Sequence, residues 1–78
     1  MSSQITGSAT LEGRILRRVE VEAKTGLKRA SIYSLMRTPK PSGDGYMFPQ
    51  TVPLGKRAVG WWSVEIDQWI ADRLAERA

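Results

Sequence analysis

Neither cysteine nor histidine occurs among the 78 residues of this chain, so it must fold without a disulfide and without a thiolate or imidazole metal site. That length leaves room for one domain, and a single core of such size seldom supplies more than ~3–5 kcal/mol. Compact packing is therefore required. Trp61, Trp62 and Trp69 are the largest apolar resource and are expected to dominate the core. The same absence narrows the chemistry, because neither of the commonest side-chain bases and nucleophiles is present. The acids fall mostly on predicted helix surfaces without convergent partners, Glu20 and Glu22 among them as solvated charges, so neither an enzyme nor a cofactor is expected.

Turn signals divide the chain clearly. Residues 1–13, rich in Ser, Thr and Gly with little apolar periodicity, read as a flexible arm, leaving 14–78 as the folded domain. The arm lacks the basic flank and apolar centre of a secretory signal, and no apolar stretch is long enough to span a bilayer, so a cytoplasmic setting is expected. Arg14 to Arg17 suits a short strand. Arg18 to Thr25 suits a helix of about two turns that stops at Gly26. Helical character resumes from Arg29 to Arg37 and ends where Pro39 disfavours helix at Thr38. Pro39 to Phe48 then carries two prolines, two glycines, Ser42 and Asp44, a loop long for so small a domain.

Gln50 to Leu54 and Arg57 to Trp62 alternate around Gly55-Lys56, which predicts a hairpin with a two-residue turn. In that register Val52, Leu54, Val59 and Trp61 share one face. Ser63 is placed to cap the following helix, with Glu65 and Asp67 in its first turn. Ile66, Trp69, Ile70 and Leu74 form the apolar stripe of that helix.

Charge is concentrated in the middle of the sequence. Residues 24–57 hold seven bases against Asp44 alone, whereas 1–23 balance three bases with three acids and 58–78 have two bases against four acids. Such a cationic segment between neutral and acidic ones suits a protein that lays one face on phosphates; a solvated surface is the plainer alternative. Two short helices joined across Thr25-Gly26-Leu27 follow the helix-turn-helix plan, locked by Val21, Leu27, Ile32 and Leu35. With Ile32, Leu35 and Met36 inward, Ala30, Tyr33, Ser34 and Arg37 turn outward, flanked by Arg29 and Ser31. A helix entering the major groove of duplex DNA needs such a small, polar, non-acidic face. Lys28 and Arg29 stand at its N-terminus, where base and phosphate contacts are made. Lys56 and Arg57, at the hairpin tip, are candidates for gripping adjacent backbone or the minor groove. Tyr33 could instead pack against the hairpin.

At these residues the chain resembles the AlpA family of phage and prophage regulators, small relatives of MerR-type and excisionase winged-helix domains. Arg18-Val19-Glu20-Val21-Glu22-Ala23-Lys24-Thr25-Gly26-Leu27 resembles the family's first helix and turn, and Ala30-Ser31-Ile32-Tyr33-Ser34-Leu35-Met36 its recognition helix. Phe48-Pro49, Val52, Leu54-Gly55, Arg57-Ala58-Val59-Gly60-Trp61 and Ile66-Asp67-Gln68-Trp69-Ile70 resemble the wing and last helix. The resemblance covers residues 14–74. It implies a mainly α fold with a small β-hairpin wing (α+β), and a DNA-binding transcriptional regulator of prophage excision or integrase expression.

Three departures stand out: Lys28 replaces a common serine, the loop from Pro39 to Met47 is longer than the family's link, and Trp62 stands where a basic or polar residue is usual. An excisionase that bends DNA and contacts an integrase is the alternative role, and a module meeting an acidic protein partner is a third. Self-association on DNA, an integrase and RNA polymerase are the partners left open besides duplex DNA.

Overall fold

The computed structural model describes residues 12–77, so all but the last two residues of the expected arm lie outside it. Strand β1 (Ile15–Leu16) leads into helix α1 (Arg18–Thr25), then α2 (Arg29–Met36), strands β2 (Val52–Pro53) and β3 (Val59–Trp62), and helix α3 (Ser63–Ala75). The strands form one antiparallel sheet in the order β1-β3-β2. The fold is thus α+β, with three helices around a small sheet, and its helix boundaries lie within a residue or so of those read from sequence.

Local chemistry explains the boundaries. Gly26 adopts φ 78°, a left-handed conformation that costs glycine least, and its amide donates to the Glu22 carbonyl at 2.8 Å. The Thr25 hydroxyl donates to the Val21 carbonyl at 2.8 Å and accepts from the Leu27 amide at 3.2 Å, fastening the turn between α1 and α2. The long loop is itself ordered as a small turn-back: Pro39 bridges Tyr46, the Lys40 amide donates to the Gly45 carbonyl at 2.8 Å, and the Met47 amide to the Thr38 carbonyl at 2.8 Å.

The core comprises Leu16, Val21, Ile32, Phe48, Trp61 and Ile66, each fully or almost fully buried and drawn from every helix, from two strands and from the loop. The tryptophans do not share it equally. Only Trp61 is fully enclosed; Trp62 and Trp69 are half-buried. Trp69 packs edge-on against Phe48 at 5.0 Å and donates its indole N–H to the Met47 carbonyl at 2.8 Å, so it closes the loop over the core. Leu74, expected in the inner stripe of α3, is 54 % exposed in the last turn of the helix.

Two further expectations are corrected. The hairpin pairs Val52 with Gly60 and Pro53 with Val59, and the Leu54 amide donates to the Ala58 carbonyl at 2.7 Å. Its loop therefore holds residues 55–57, one more than Gly55-Lys56 alone. That single-residue shift separates Val52 and Leu54 from Val59 and Trp61, placing the two pairs on opposite faces. Ser63 opens α3 instead of capping it. Its hydroxyl accepts from the Arg14 amide at 2.8 Å while its own amide donates to the Arg14 carbonyl at 2.8 Å, tying α3 to the chain just before β1.

Gly60 is required where β1 and β2 crowd β3. A Cβ there would lie 2.3 Å from Ile15 Cγ2 and 2.9 Å from the Leu16 carbonyl oxygen. The methyl-bearing neighbour could turn away, but the backbone oxygen belongs to the sheet. Gly60→Ala is accordingly expected to destabilise the domain by ~1–3 kcal/mol, the usual cost of overpacking. Thermal melting checks this, and an unchanged transition would mean that the sheet gives way freely.

Candidate nucleic-acid interface

Lys28, Arg29, Ala30, Ser31, Ser34 and Arg37 are all exposed and lie on α2 or at its two ends. No acid occurs between Lys24 and Lys40 to oppose them. The small side chains leave a shallow hollow of about 420 Å³ along Leu27, Ala30, Ser31, Ser34 and Leu35, so a ligand can approach the helix backbone closely. Lys28 occupies the N-cap in extended conformation without a side-chain cap. The amide groups of the first turn thus receive no cap from Lys28, which favours anionic ligands there.

Of the two positions left open for Tyr33, outward or packed against the hairpin, the structure shows the second. Tyr33 is half-buried, with its ring edge-on to Trp61 at 6.1 Å. On a 100° wheel it lies next to Met36 at the edge of the apolar side, and its ring is long enough to reach the sheet. The Arg29 guanidinium lies 5.7 Å from its ring centre, a cation–π contact that steadies the fork at the start of α2.

Lys56 and Arg57 sit in the exposed hairpin loop. The ion pairs of the described residues join Arg14 to Glu20, Arg18 to Glu22, Lys24 to Asp67 and Arg73 to Glu76. Lys28, Arg29, Arg37, Lys56 and Arg57 take part in none of them, so their charge is available to a ligand. Glu20 accepts from the Arg17 amide at 2.9 Å. That hydrogen bond, reinforced by Arg14, holds its carboxyl below the ordinary value.

Sequence reasoning missed Arg17 and Arg18. They line one concavity together with Tyr33 and Arg57, although Arg57 lies about forty positions away along the chain. The charge count along the sequence hid this, because it grouped Arg17 and Arg18 with three neighbouring acids. A cleft of about 620 Å³ between Pro41, Ser42, Met47 and the Trp69–Glu76 side of α3 contains none of the nine candidate residues.

Residues 14–74 match the family model described as prophage CP4-57 regulatory protein (AlpA). The chain is 43 % identical over 60 residues to the DNA-binding transcriptional activator AlpA of Escherichia coli (strain K12), covering 77 % of this chain and 84 % of that protein. It is 41 % identical over 64 residues to the uncharacterized protein ORF88 of Enterobacteria phage P4, covering 82 % of this chain and 65 % of that protein. No solved structure matches the chain. With the match running from the start of β1 almost to the end of α3, the chain belongs to the AlpA family of prophage regulatory proteins.

Proposed function

We propose that this protein is a sequence-specific, duplex-DNA-binding transcriptional regulator of winged helix-turn-helix type, acting in the cytoplasm. In this reading α2 enters the major groove and the β2–β3 hairpin is the wing, holding the adjacent backbone or minor groove. The observation that carries it is the outer face of α2, which is small-sided, free of acids and bounded by cations that have no ion-pair partner among the described residues. Base edges are read from such a face, and phosphates are held from its ends. The similar protein named a DNA-binding transcriptional activator supports the same reading. Among the described residues no helix is long and apolar enough to cross a membrane.

Binding is expected to weaken steeply with salt. If about four phosphates are neutralised, the slope of log affinity against log salt should be near −3.6. Titration of a labelled duplex at several salt concentrations measures it, and a flat line would remove the electrostatic basis of the reading. A promoter reporter in cells lacking integrase then separates regulation from an excisionase role. A dose-dependent change supports the regulator, whereas an effect confined to recombination assays supports the architectural alternative and an integrase partner.

A further inference from the structure

A separate concavity lies between the start of α1 and the hairpin. It measures about 280 Å³ and is bordered by Arg17, Arg18 and Arg57, with Tyr33, Val59 and the enclosed Trp61 as its apolar lining. Arg17 and Arg57 are exposed and belong to no ion pair among the described residues, while Arg18 is shared with Glu22. Three arginines drawn from two distant segments thus border one hollow, two of them outside any ion pair among the described residues. Planar forks of this kind match the oxygens of a phosphate, and the apolar lining strengthens their attraction by displacing water. Tyr33 belongs to α2 and lies under Arg29, so the hollow adjoins the face proposed to read DNA.

We infer that Arg17 and Arg57 together seat a single backbone phosphate of bound duplex, clamping α1 and the hairpin onto one nucleotide step and fixing the angle at which α2 meets the groove. This rests on the DNA-binding reading and adds to it a residue, Arg17, outside the segment where the positive charge of the sequence is concentrated. The alternative ligand, a carboxylate on an acidic protein, is an outcome of the same test.

Arg17→Gln and Arg57→Gln keep the aliphatic stems beside the hollow while removing the forks. Each is expected to weaken binding of unmodified duplex roughly tenfold at low salt, on cognate and random sequence alike, with an unchanged melting curve. The duplex is then scanned with neutral methylphosphonates, one position at a time. One position should weaken the wild type and erase the deficit of both variants, which there bind as the wild type does. Deficits erased at two different positions, or at none, would overturn the shared seat. So would an Arg17→Gln protein that binds DNA normally, and the acidic-partner reading would then gain. Failure of the wild type to bind any duplex is distinguishable from these results: it removes the DNA-binding reading, and the seat with it.

Discussion

Trp61→Ala is expected to leave a chain without a cooperative melting transition at room temperature. Trp61 is fully enclosed, packs against the edge of Tyr33, and donates its indole N–H to the Pro49 carbonyl at 3.2 Å. Emptying such a site costs ~3–5 kcal/mol, which matches the whole stability that a core of this size supplies, ~3–5 kcal/mol. Trp69→Ala removes a ring that is only half-buried and should leave a weakened but visible transition. Circular dichroism during heating compares the two. Equal loss in both variants, or a Trp61→Ala protein that melts as the wild type does, would contradict the placement of the core around β3.

Arg29→Ala and the paired change of Lys56 and Arg57 to alanine should damage DNA binding in different ways. Arg29 begins α2 with its fork steadied over Tyr33. From there it can reach a base edge, so its loss is expected to cost ~1–3 kcal/mol on the cognate site and to relax preference at one base position. Random duplex should be affected less. In the proposed arrangement the hairpin cations hold phosphate instead; removing both should weaken cognate and random DNA by similar factors and flatten the salt slope by up to ~1.8. Parallel titrations of cognate and scrambled duplex at several salt concentrations distinguish the two patterns. A hairpin variant that loses specific binding alone, or an Arg29 variant that loses both equally, contradicts the division.

The helices were legible because single residues stop them. Gly26 ends α1, and Pro39 ends the stretch after α2; both act locally, so no knowledge of the fold is needed. Register was less legible. Gly55-Lys56 carries the signature of a two-residue turn, yet β2 pairs so that Gly60, which β1 crowds from the other side, stands opposite Val52. Ser63 illustrates the same limit, since its hydroxyl found a partner 49 positions away in place of its own helix. On the candidate interface, α2 could be read from its own periodicity except at Tyr33, whose ring answers to Trp61. Arg17 could not be read at all. Its stretch of the chain balances three bases against three acids, and the concavity it shares with Arg57 forms only in the fold.

The reciprocal hydrogen bonds between Arg14 and Ser63, and the pairing of β1 with the far end of β3, also decide when this protein can exist during its synthesis. Helices α1 and α2 are eight residues each, too short to persist alone in water. Their core partners Trp61 and Ile66 are made after them. A nascent chain halted before Ile66 therefore carries the whole of the α2 face and yet cannot hold it in shape. By the same reasoning, one protease cut just ahead of Ile66 is expected to unfold the α2 face in a single step, without touching any of the candidate residues.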